Sequence, residues 1–556
     1  MTPFERFAIK RLVQQAGVGS TPEIEQALLM LLQSAREGNL CCPYKGTLPE
    51  ALCAEAMDDC SKPVVKHGNL LYFQKNWALE TKVLQKIAEI WKRPVPPFDS
   101  RRFLQALDAE RPRLNAAQIE AVSQGFGKSL TIFSGGPGTG KTYTAAAFIR
   151  LLAASQENCK VLITAPTGKA AAHLESVFQA QKGEASLHLT WESMTLHRLL
   201  KLRPKTQKLT SEYLIDADLV VVDEASMMDG YLLLHLLNAV GPKTSAPSHK
   251  FLPLGLCQSS GIEIVEEGGS IEAIHPPSST TQSRELSRKP QCQEFMGRST
   301  RLLLLGDANQ LPPVDGVSFF PEIAQQLGQK LTRSVRMGDS MVSRVSQAIL
   351  EGKDIPRLPW QPDVLVDWLC QRLPSPHHTS KPDPLMLLQE LSRFRILCAL
   401  RQGPFGVDSL NSQILARFQA QRSSDWFCIP ILILQNSPGQ ELYNGTPGVL
   451  LRKNGVGTAY FLDGAAVRAV AEMALPRYET AFCLSIHKSQ GSEFDEVLIL
   501  FGPGSERFGK EALYTGVTRA KKIVEICAEE NAFQAAIHKK GNLRSGFTDR
   551  LAGLHA

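Results

Sequence analysis

Four short runs of apolar residues stand out between residues 111 and 330. They are SLTIF (129–133), KVLITA (160–165), DLVVVD (218–223) and RLLLL (301–305). Strands that are apolar on both faces are typical of parallel sheets covered by helices on each side. The runs alternate with helical patterns, so they predict an α/β unit in which loops at the carboxyl ends of the strands carry the chemistry.

The first 110 residues have a different pattern. Apolar residues recur at helical spacing after Thr21, and again over 78–93, whereas 69–74 is a candidate short strand. We find no catalytic motif in this stretch. The pattern therefore predicts a mostly helical N-terminal docking domain over 1–110.

A second α/β region is predicted over 331–556. Its strand candidates are 393–400 and 481–487, and between them residues 430–475 contain short strands joined by Asn-Gly and Asp-Gly turns. Such turns are typical of β-hairpins. We therefore expect a small SH3-like β-barrel inserted in this second region.

Residues 245–300 interrupt the first α/β unit between two of its strands. They are rich in Ser, Pro and Gly and contain only short apolar patches. The composition predicts a flexible insert.

Composition narrows the class of protein only moderately. The 556 residues are 43% hydrophobic and 21% charged, with a net charge of +6, which permits a nucleic-acid partner without requiring one. No apolar run reaches the roughly 18–20 residues of a membrane span, and the N-terminus has no secretion pattern. We expect a cytoplasmic protein with reduced thiols. In the cluster of Cys41, Cys42, Cys53 and Cys60, a metal site is the less favoured alternative.

The segment GGPGTGKT at 135–142 follows an apolar strand and precedes a helical run. It fits GxxxxGK[ST], in which glycine N–H groups and a helix N-terminus surround phosphates. Lys141 is predicted to reach the β- and γ-phosphates, and Thr142 to ligate Mg²⁺. The residues predicted to bind ATP here are Gly135, Gly136, Pro137, Gly138, Thr139, Gly140, Lys141 and Thr142.

The segment VVVDEAS supplies two acids. Asp223 ends a buried strand, where a carboxylate is costly unless it holds a charged group, and Mg²⁺ is the predicted one. Glu224 is predicted to polarise the attacking water. Upstream, Asn115 is expected to cap a helix that presents Gln118, whose amide can pair with the N6 and N7 edge of adenine. These residues predict NTP hydrolysis.

Eight motifs occur along the chain in one order, and together they resemble the superfamily 1 helicases. Three further segments resemble, more narrowly, RecD, the alpha subunit of exodeoxyribonuclease V: LYFQKNWALE (71–80), RILCALRQGPFGVDSLN (395–411) and RSG (544–546). The eight motifs are GGPGTGKT, TAPTGKAAA (164–172), TLHRLL (195–200), VVDEASMMD, GDANQLPPV, LTRSVR (331–336), SIHKSQGSEFDEV (485–497) and ALYTGVTRAKK (512–522).

The resemblance implies two RecA-like P-loop NTPase lobes with ATP between them. It implies that Arg336 and Arg519 of the second lobe reach the γ-phosphate, a task that suits the fixed, charged fork of arginine. Glu493 resembles the family's ribose contact. Gln310, in GDANQLPPV, is expected to sense the γ-phosphate and to report its state to the DNA-binding face.

The remaining motifs are expected to contact DNA phosphates, which position a strand without reading its sequence. For His197 and His487 a packing role is the alternative. The resemblance also implies a duplex-splitting hairpin at 201–215, for which a plain surface hairpin is an equal alternative, and 5′→3′ movement. The predicted DNA contacts are Pro166, Thr167, Thr195, His197, Ser485 and His487.

The sequence thus predicts an ATP- and Mg²⁺-dependent DNA helicase in break repair and recombination, with RecB-like and RecC-like partners that carry any nuclease activity. The segment Pro312-Pro313-Val314 departs from RecD and is more typical of Pif-type helicases, so a stand-alone 5′→3′ helicase is an alternative. A non-motor ATPase switch subunit of a complex is an alternative of another class.

Overall fold

The structure is a computed structural model, and the chain divides into two units. The second unit, Pro242–Arg298, lies outside the described residues, as do most of the predicted hairpin at 201–215, Arg336 and Cys60. The described residues are 2–55, 62–181, 189–202, 214–240, 300–313, 316–331, 340–421, 426–464, 466–539 and 545–553.

The N-terminal region combines helices with a small sheet of order β1-β4-β3-β2. The sequence predicted only one strand here, because strands of three or four residues are too short to show a period. Cys41, Cys42 and Cys53 are buried, and the described residues contain no group of three or more His, Cys, Asp or Glu side chains that could hold a metal ion. The elements are α1 (Pro3–Gln15), α2 (Pro22–Arg36), β1 (Cys41–Pro43), β2 (Cys53–Glu55), β3 (Val64–His67), β4 (Leu70–Phe73), α3 (Gln74–Trp91) and α4 (Ser100–Glu110).

The first lobe is a parallel α/β sheet, as predicted. Its strand order is β10-β5-β9-β8-β6-β7, and every pairing is parallel. Apolar side chains pack on both faces, and one of these cores also includes residues of α3. The elements are α5 (Ala116–Phe126), β5 (Leu130–Ser134), α6 (Lys141–Ser155), β6 (Cys159–Ala165), α7 (Gly168–Ala180), β7 (Leu189–Thr195), α8 (Leu196–Leu199), β8 (Leu219–Val222), α9 (Gly230–Ala239), β9 (Arg301–Gly306), α10 (Phe320–Leu327) and β10 (Gln329–Lys330).

The rest of the chain forms a second parallel sheet and an antiparallel one. The helices are α11 (Met341–Leu350), α12 (Leu365–Arg372), α13 (Pro384–Arg393), α14 (Val407–Ala420), α15 (Gly509–Val517), α16 (Glu530–His538) and α17 (Phe547–Gly553). The strands are β11 (Leu358–Pro359), β12 (His377–His378), β13 (Phe394–Cys398), β14 (Trp426–Ile433), β15 (Pro447–Lys453), β16 (Val456–Asp463), β17 (Ala466–Ala471), β18 (Tyr478–Thr480), β19 (Cys483–Ser485), β20 (Phe494–Phe501) and β21 (Ala520–Ala528).

The parallel sheet has the order β11-β21-β20-β13-β19. The inserted strands pair in the order β12-β14-β15-β16-β17, with β18 also on β14. Among the described residues, the strands over 430–475 form an antiparallel sheet that extends beyond those bounds, and its closure into a barrel stays a prediction. No helix in the described part of the chain is both long and apolar enough to cross a membrane.

Candidate active site

The loop between β5 and α6 has the geometry expected of a phosphate-binding loop. Gly138 and Gly140 adopt φ of +72° and +80°, which residues with a side chain rarely do. Gly140 then caps the N-terminus of α6. The Lys141 Nζ donates to the carbonyl oxygens of Gly135 at 2.7 Å and Gly136 at 3.0 Å, so the lysine lies along the concave side of the loop.

A carboxylate from the neighbouring motif faces this loop. Thr142 Oγ1 donates to Asp223 Oδ2 at 3.5 Å, and the Glu224 N–H donates to Asp223 Oδ1 at 2.8 Å. Burial, and next the charge of Glu224, raise the pKa of Asp223, whereas Lys141 opposes this rise. Glu224 has a φ of +52°, a strained conformation for a non-glycine residue of the kind that clusters at functional sites.

The Gln118 amide, which was predicted to pair with adenine, makes its hydrogen bonds within the protein. Asn115 caps α5, as predicted, but the Gln118 Oε1 accepts the Asn115 N–H at 3.0 Å in a capping box. Its Nε2 donates to the Thr139 carbonyl at 3.3 Å. One end of the buried amide therefore caps α5 and the other contacts the phosphate loop, and adenine recognition by Gln118 stays a prediction.

A buried polar group joins the two lobes beside the phosphate loop. Asp307, directly after β9, accepts the Tyr514 hydroxyl of α15 at 2.9 Å and the Asn309 N–H at 3.0 Å. Burial raises the pKa of Asp307, while the nearby positive charge of Lys141 lowers it. The Gln310 Nε2 also donates to Asp307, at 3.4 Å.

The same loop contacts the second lobe at its other end. The Leu311 N–H donates to Thr515 Oγ1 at 2.8 Å, and the Leu311 carbonyl accepts Gln490 Nε2 at 3.0 Å. Thr515 lies on α15, and Gln490 lies in the segment that contains Ser485 and His487. The loop is therefore hydrogen-bonded to two motifs of the second lobe.

Arg519 is held within its own lobe. Its guanidinium donates to the carbonyl oxygens of Thr515 at 3.2 Å and Ser492 at 3.4 Å, and to Thr518 Oγ1 at 3.2 Å. Glu493 is exposed and lies 3.8 Å from the Lys521 Nζ. The γ-phosphate role of Arg519 and the ribose role of Glu493 both remain predictions.

The first-lobe DNA-contact candidates lie at the carboxyl ends of β6 and β7, which pair through Ala165 and Thr195. Pro166 follows β6 and is half-buried. Thr167 and Thr195 cap α7 and α8 through their hydroxyl groups. His197 is exposed, which argues against its packing alternative.

The two DNA-contact candidates of the second lobe, Ser485 and His487, have different contacts. Ser485 ends β19 and its Oγ accepts the Lys488 N–H at 3.3 Å. The His487 ring lies 5.7 Å from that of Phe508, and burial lowers the pKa of His487. This contact favours the packing alternative for His487.

Sequence reasoning missed several interface residues. Asp307 could have been found, because an acid directly after a buried strand is a signal that was used for Asp223. Tyr514 and Gln490 could not, because the partner of Tyr514 is 207 residues away along the chain.

Comparison with known proteins agrees with this architecture. Residues 118–247 match a model of an AAA domain, and residues 480–526 match a UvrD-like helicase C-terminal domain. The RecBCD enzyme subunit RecD of Mycolicibacterium smegmatis is 29% identical over 95% of this chain and 93% of its own length. The ATP-dependent RecD2 DNA helicase of Deinococcus radiodurans is 26% identical over 78% of this chain and 52% of its own.

Among solved structures, the Pif1 helicase from Candida albicans is 16% identical, with a TM-score of 0.40 over 79% of this chain and 99% of that one. The sequence relatives and domain models confirm the resemblance to RecD-type superfamily 1 helicases. They also confirm a nucleotide-binding domain.

Proposed function

We propose that this chain, a superfamily 1 helicase of the RecD type, hydrolyses ATP to move 5′→3′ along single-stranded DNA and to separate the duplex ahead of it. The observation that carries the proposal is the loop from Asp307 to Leu311. It lies beside Lys141 and is hydrogen-bonded to the second lobe at both ends. A change at the phosphates can therefore move one lobe relative to the other.

The hydrolytic roles follow from the residues around the phosphate loop. The Lys141 ammonium and the N–H groups of residues 135–142 would bind the phosphates, with the carbonyl contacts of Lys141 exchanged for phosphate oxygens. Glu224 would accept a proton from the attacking water. Arg519, once released from its carbonyl contacts, would stabilise charge on the γ-phosphate, as would Arg336.

Thr142 and Asp223 fit a magnesium site. A hydroxyl and a carboxylate lie 3.5 Å apart, and oxygen ligands are those that Mg²⁺ prefers. Bound Mg²⁺ would supply charge neutralisation of the phosphates.

The DNA side is assigned to residues from both lobes. Thr167 and Thr195 of the first lobe, with Ser485 of the second, would hold phosphates through hydroxyl and backbone groups. Gln490 links this segment to the Leu311 carbonyl. Opening a base-pair step costs about 1.4 kcal/mol, which hydrolysis of one ATP can supply through lobe closure and reopening.

We also propose partners. Relatives of this chain are named as subunits of the RecBCD enzyme. The chain would accordingly act with RecB-like and RecC-like subunits in double-strand-break repair and recombination, and nuclease activity would reside in those subunits.

The proposal is tested by ATPase, translocation and strand-displacement assays on the purified chain, alone and with RecB-like and RecC-like subunits. We expect DNA-stimulated ATPase and 5′→3′ translocation. Lys141→Gln is the control: it should abolish hydrolysis, because the phosphates lose their point charge, while the melting temperature stays close to that of the wild type.

Two outcomes would contradict the proposal. DNA-dependent ATPase retained in Lys141→Gln would refute the assignment of the phosphate loop. DNA-stimulated ATPase without translocation, even in the complex, would favour the non-motor switch.

A further inference from the structure

The Tyr514 hydroxyl crosses the lobe interface at the nucleotide site. We propose that Tyr514 is a positioning residue for ATP hydrolysis, which ties the second lobe to Asp307 and so sets how the two lobes close on the phosphate loop. This inference rests on the function proposed above. Neither the predicted motif roles nor the comparisons with relatives assign a task to this tyrosine.

Burial makes the contact between the two residues strong. Tyr514 is 2% exposed and Asp307 is 1% exposed, and their oxygens lie 2.9 Å apart. A hydrogen bond to a carboxylate is stronger than one between neutral groups, and a low-dielectric setting strengthens it further. The phenol therefore holds Asp307 in one orientation.

Consecutive residues of α15 hold both ends of the sensing loop. Tyr514 binds Asp307 at its start, and Thr515 accepts the Leu311 N–H at its end. The Thr515 carbonyl also accepts the Arg519 Nε at 3.2 Å. A shift of α15 is therefore transmitted at once to the sensing loop and to the arginine predicted to reach the γ-phosphate.

The phenol also lies against the phosphate loop itself. A side-chain carbon built on Gly136 would lie 3.0 Å from the Tyr514 oxygen, a tight approach that glycine accommodates without any shift. Gly136 in turn accepts a hydrogen bond from Lys141. Tyr514 thus lies beside the loop predicted to bind phosphate and is hydrogen-bonded to the loop predicted to sense it.

Tyr72 offers a matched control. It is also buried and donates its hydroxyl to a buried carboxylate, Glu80 Oε1, at 3.4 Å, but it lies in the N-terminal region. If a buried phenol served packing alone, Tyr72→Phe and Tyr514→Phe would behave alike. A difference in catalysis between the two variants therefore isolates the positioning role.

The experiment measures steady-state ATP hydrolysis by the full chain, with and without a single-stranded oligonucleotide. For Tyr514→Phe we expect DNA-stimulated kcat to fall about tenfold, equivalent to about 1.4 kcal/mol. The KM for ATP and the Kd for ADP should stay within about twofold of the wild-type values, because the lost interaction acts in the transition state. Both Phe variants should lower the melting temperature to a similar extent, and Tyr72→Phe should keep its kcat.

A double variant tests whether Tyr514 acts through Asp307. If it does, Tyr514→Phe combined with Asp307→Asn should be no slower than Asp307→Asn alone, because interacting residues are non-additive. Multiplicative losses would overturn the inference. Should Tyr514→Phe fail to fold, Asp307→Asn carries the test alone, and an unchanged kcat in that variant would overturn it.

The two proposals fail in different ways. A wild-type chain without DNA-stimulated ATPase would refute the proposed function, and this inference with it. A wild-type chain with that activity, together with a Tyr514→Phe variant of unchanged kcat, would refute the inference alone.

Discussion

At the scale of single residues, the buried amide of Gln310 has, within the described part of the chain, a hydrogen-bond partner for only one of its two polar atoms. Its Nε2 donates to Asp307, whereas its Oε1 is buried with no hydrogen-bond partner among the described residues. A buried acceptor without a donor costs about 1–3 kcal/mol. Such an exception in a well-packed protein points to a role that needs the free acceptor.

Gln310→Ala is therefore expected to uncouple hydrolysis from movement. Nucleotide binding should stay near normal, since the phosphate loop is untouched, while base pairs opened per ATP should fall severalfold. The ratio is measured by following strand displacement and phosphate release in the same reaction.

Gln440→Ala is the matched control for this change. The Gln440 amide donates to the Ala474 carbonyl at 2.7 Å, in the inserted sheet region and away from the nucleotide loop. Base pairs opened per ATP should be unaffected there. An equal ratio in Gln310→Ala and wild type would show that Gln310 is not a coupler.

At the scale of residues, the sequence predicted the local geometry where the residues of a motif are contiguous. The glycines and Lys141 of the phosphate loop lie as the motif predicts, because the strand, the loop and the helix are contiguous. The contacts of Gln118 and His487 could not be predicted from a local motif. Their neighbours, Thr139 and Phe508, come from other segments that only folding brings close.

At the scale of elements, the contact between α10 and α17 contains an unusual acid. Glu322 accepts the Ser545 hydroxyl at 3.1 Å, and its Oε2 is buried without a partner among the described residues. Burial first, and to a lesser degree the charge of Glu80, raise the pKa of Glu322 from 4.5 to about 7. The folded protein therefore binds this proton more tightly than the unfolded chain does.

This pKa shift predicts a pH-dependent stability. Protonated Glu322 contributes stability that is fully present below the pKa of the unfolded chain, 4.5. This stability is lost as the pH rises through the folded-state pKa of about 7. The melting temperature of the wild type should thus fall between pH 5 and pH 8. Glu322→Gln, which stays neutral, should reduce that slope; some slope should remain because burial also raises the pKa of Glu80.

Glu120→Gln makes the same charge change at an exposed position of α5 and should leave the slope unaltered. The measurement is thermal unfolding of the three proteins across this pH range. If the melting temperature of Glu322→Gln fell with pH as steeply as that of the wild type, Glu322 would not be the titrating group.

The strands and helices themselves were largely readable from the sequence. The four apolar runs correspond to β5, β6, β8 and β9, since strands buried on both faces leave a continuous signal. The N-terminal sheet was mostly missed, and the inserted strands were expected to close into a barrel. Closure depends on pairing between distant strands, which local alternation does not specify.

At the scale of the whole chain, helix α17 packs against helix α3 of the N-terminal region. The Arg550 guanidinium of α17 lies over the ring of Trp77, in the motif LYFQKNWALE (71–80), at 3.8 Å from the ring centroid. Arg550 also donates to Glu80 at 2.9 Å and to Thr81 at 2.7 Å. Phe547 stacks on Phe319 at 4.9 Å. Helix α17 therefore joins the N-terminal region to the first lobe.

Arg550→Ala should destabilise the protein strongly. It leaves the carboxylate of Glu80, which is fully buried, without its cation, and removing one partner of a buried ion pair costs about 3–5 kcal/mol. Chemical denaturation measures the loss, and limited proteolysis should show earlier cleavage within residues 1–110.

Arg393→Ala is the control, because Arg393 is exposed and pairs with Glu496 at 3.7 Å on the surface. Exposed pairs contribute about 0–1 kcal/mol. Equal losses of unfolding free energy in the two variants would contradict a stabilising role for the buried pair of Arg550 and Glu80.

The sequence by itself determined the chemistry of this protein: a phosphate loop, two acids after a buried strand and an ordered set of helicase motifs. Each of these is local, because a few contiguous residues specify the turn or the strand end that the chemistry needs. Tertiary structure alone decided which groups meet. Tyr514 reaches Asp307, and Arg550 reaches Glu80, across 207 and 470 residues. Such pairings depend on how buried surfaces pack, and no local pattern records them.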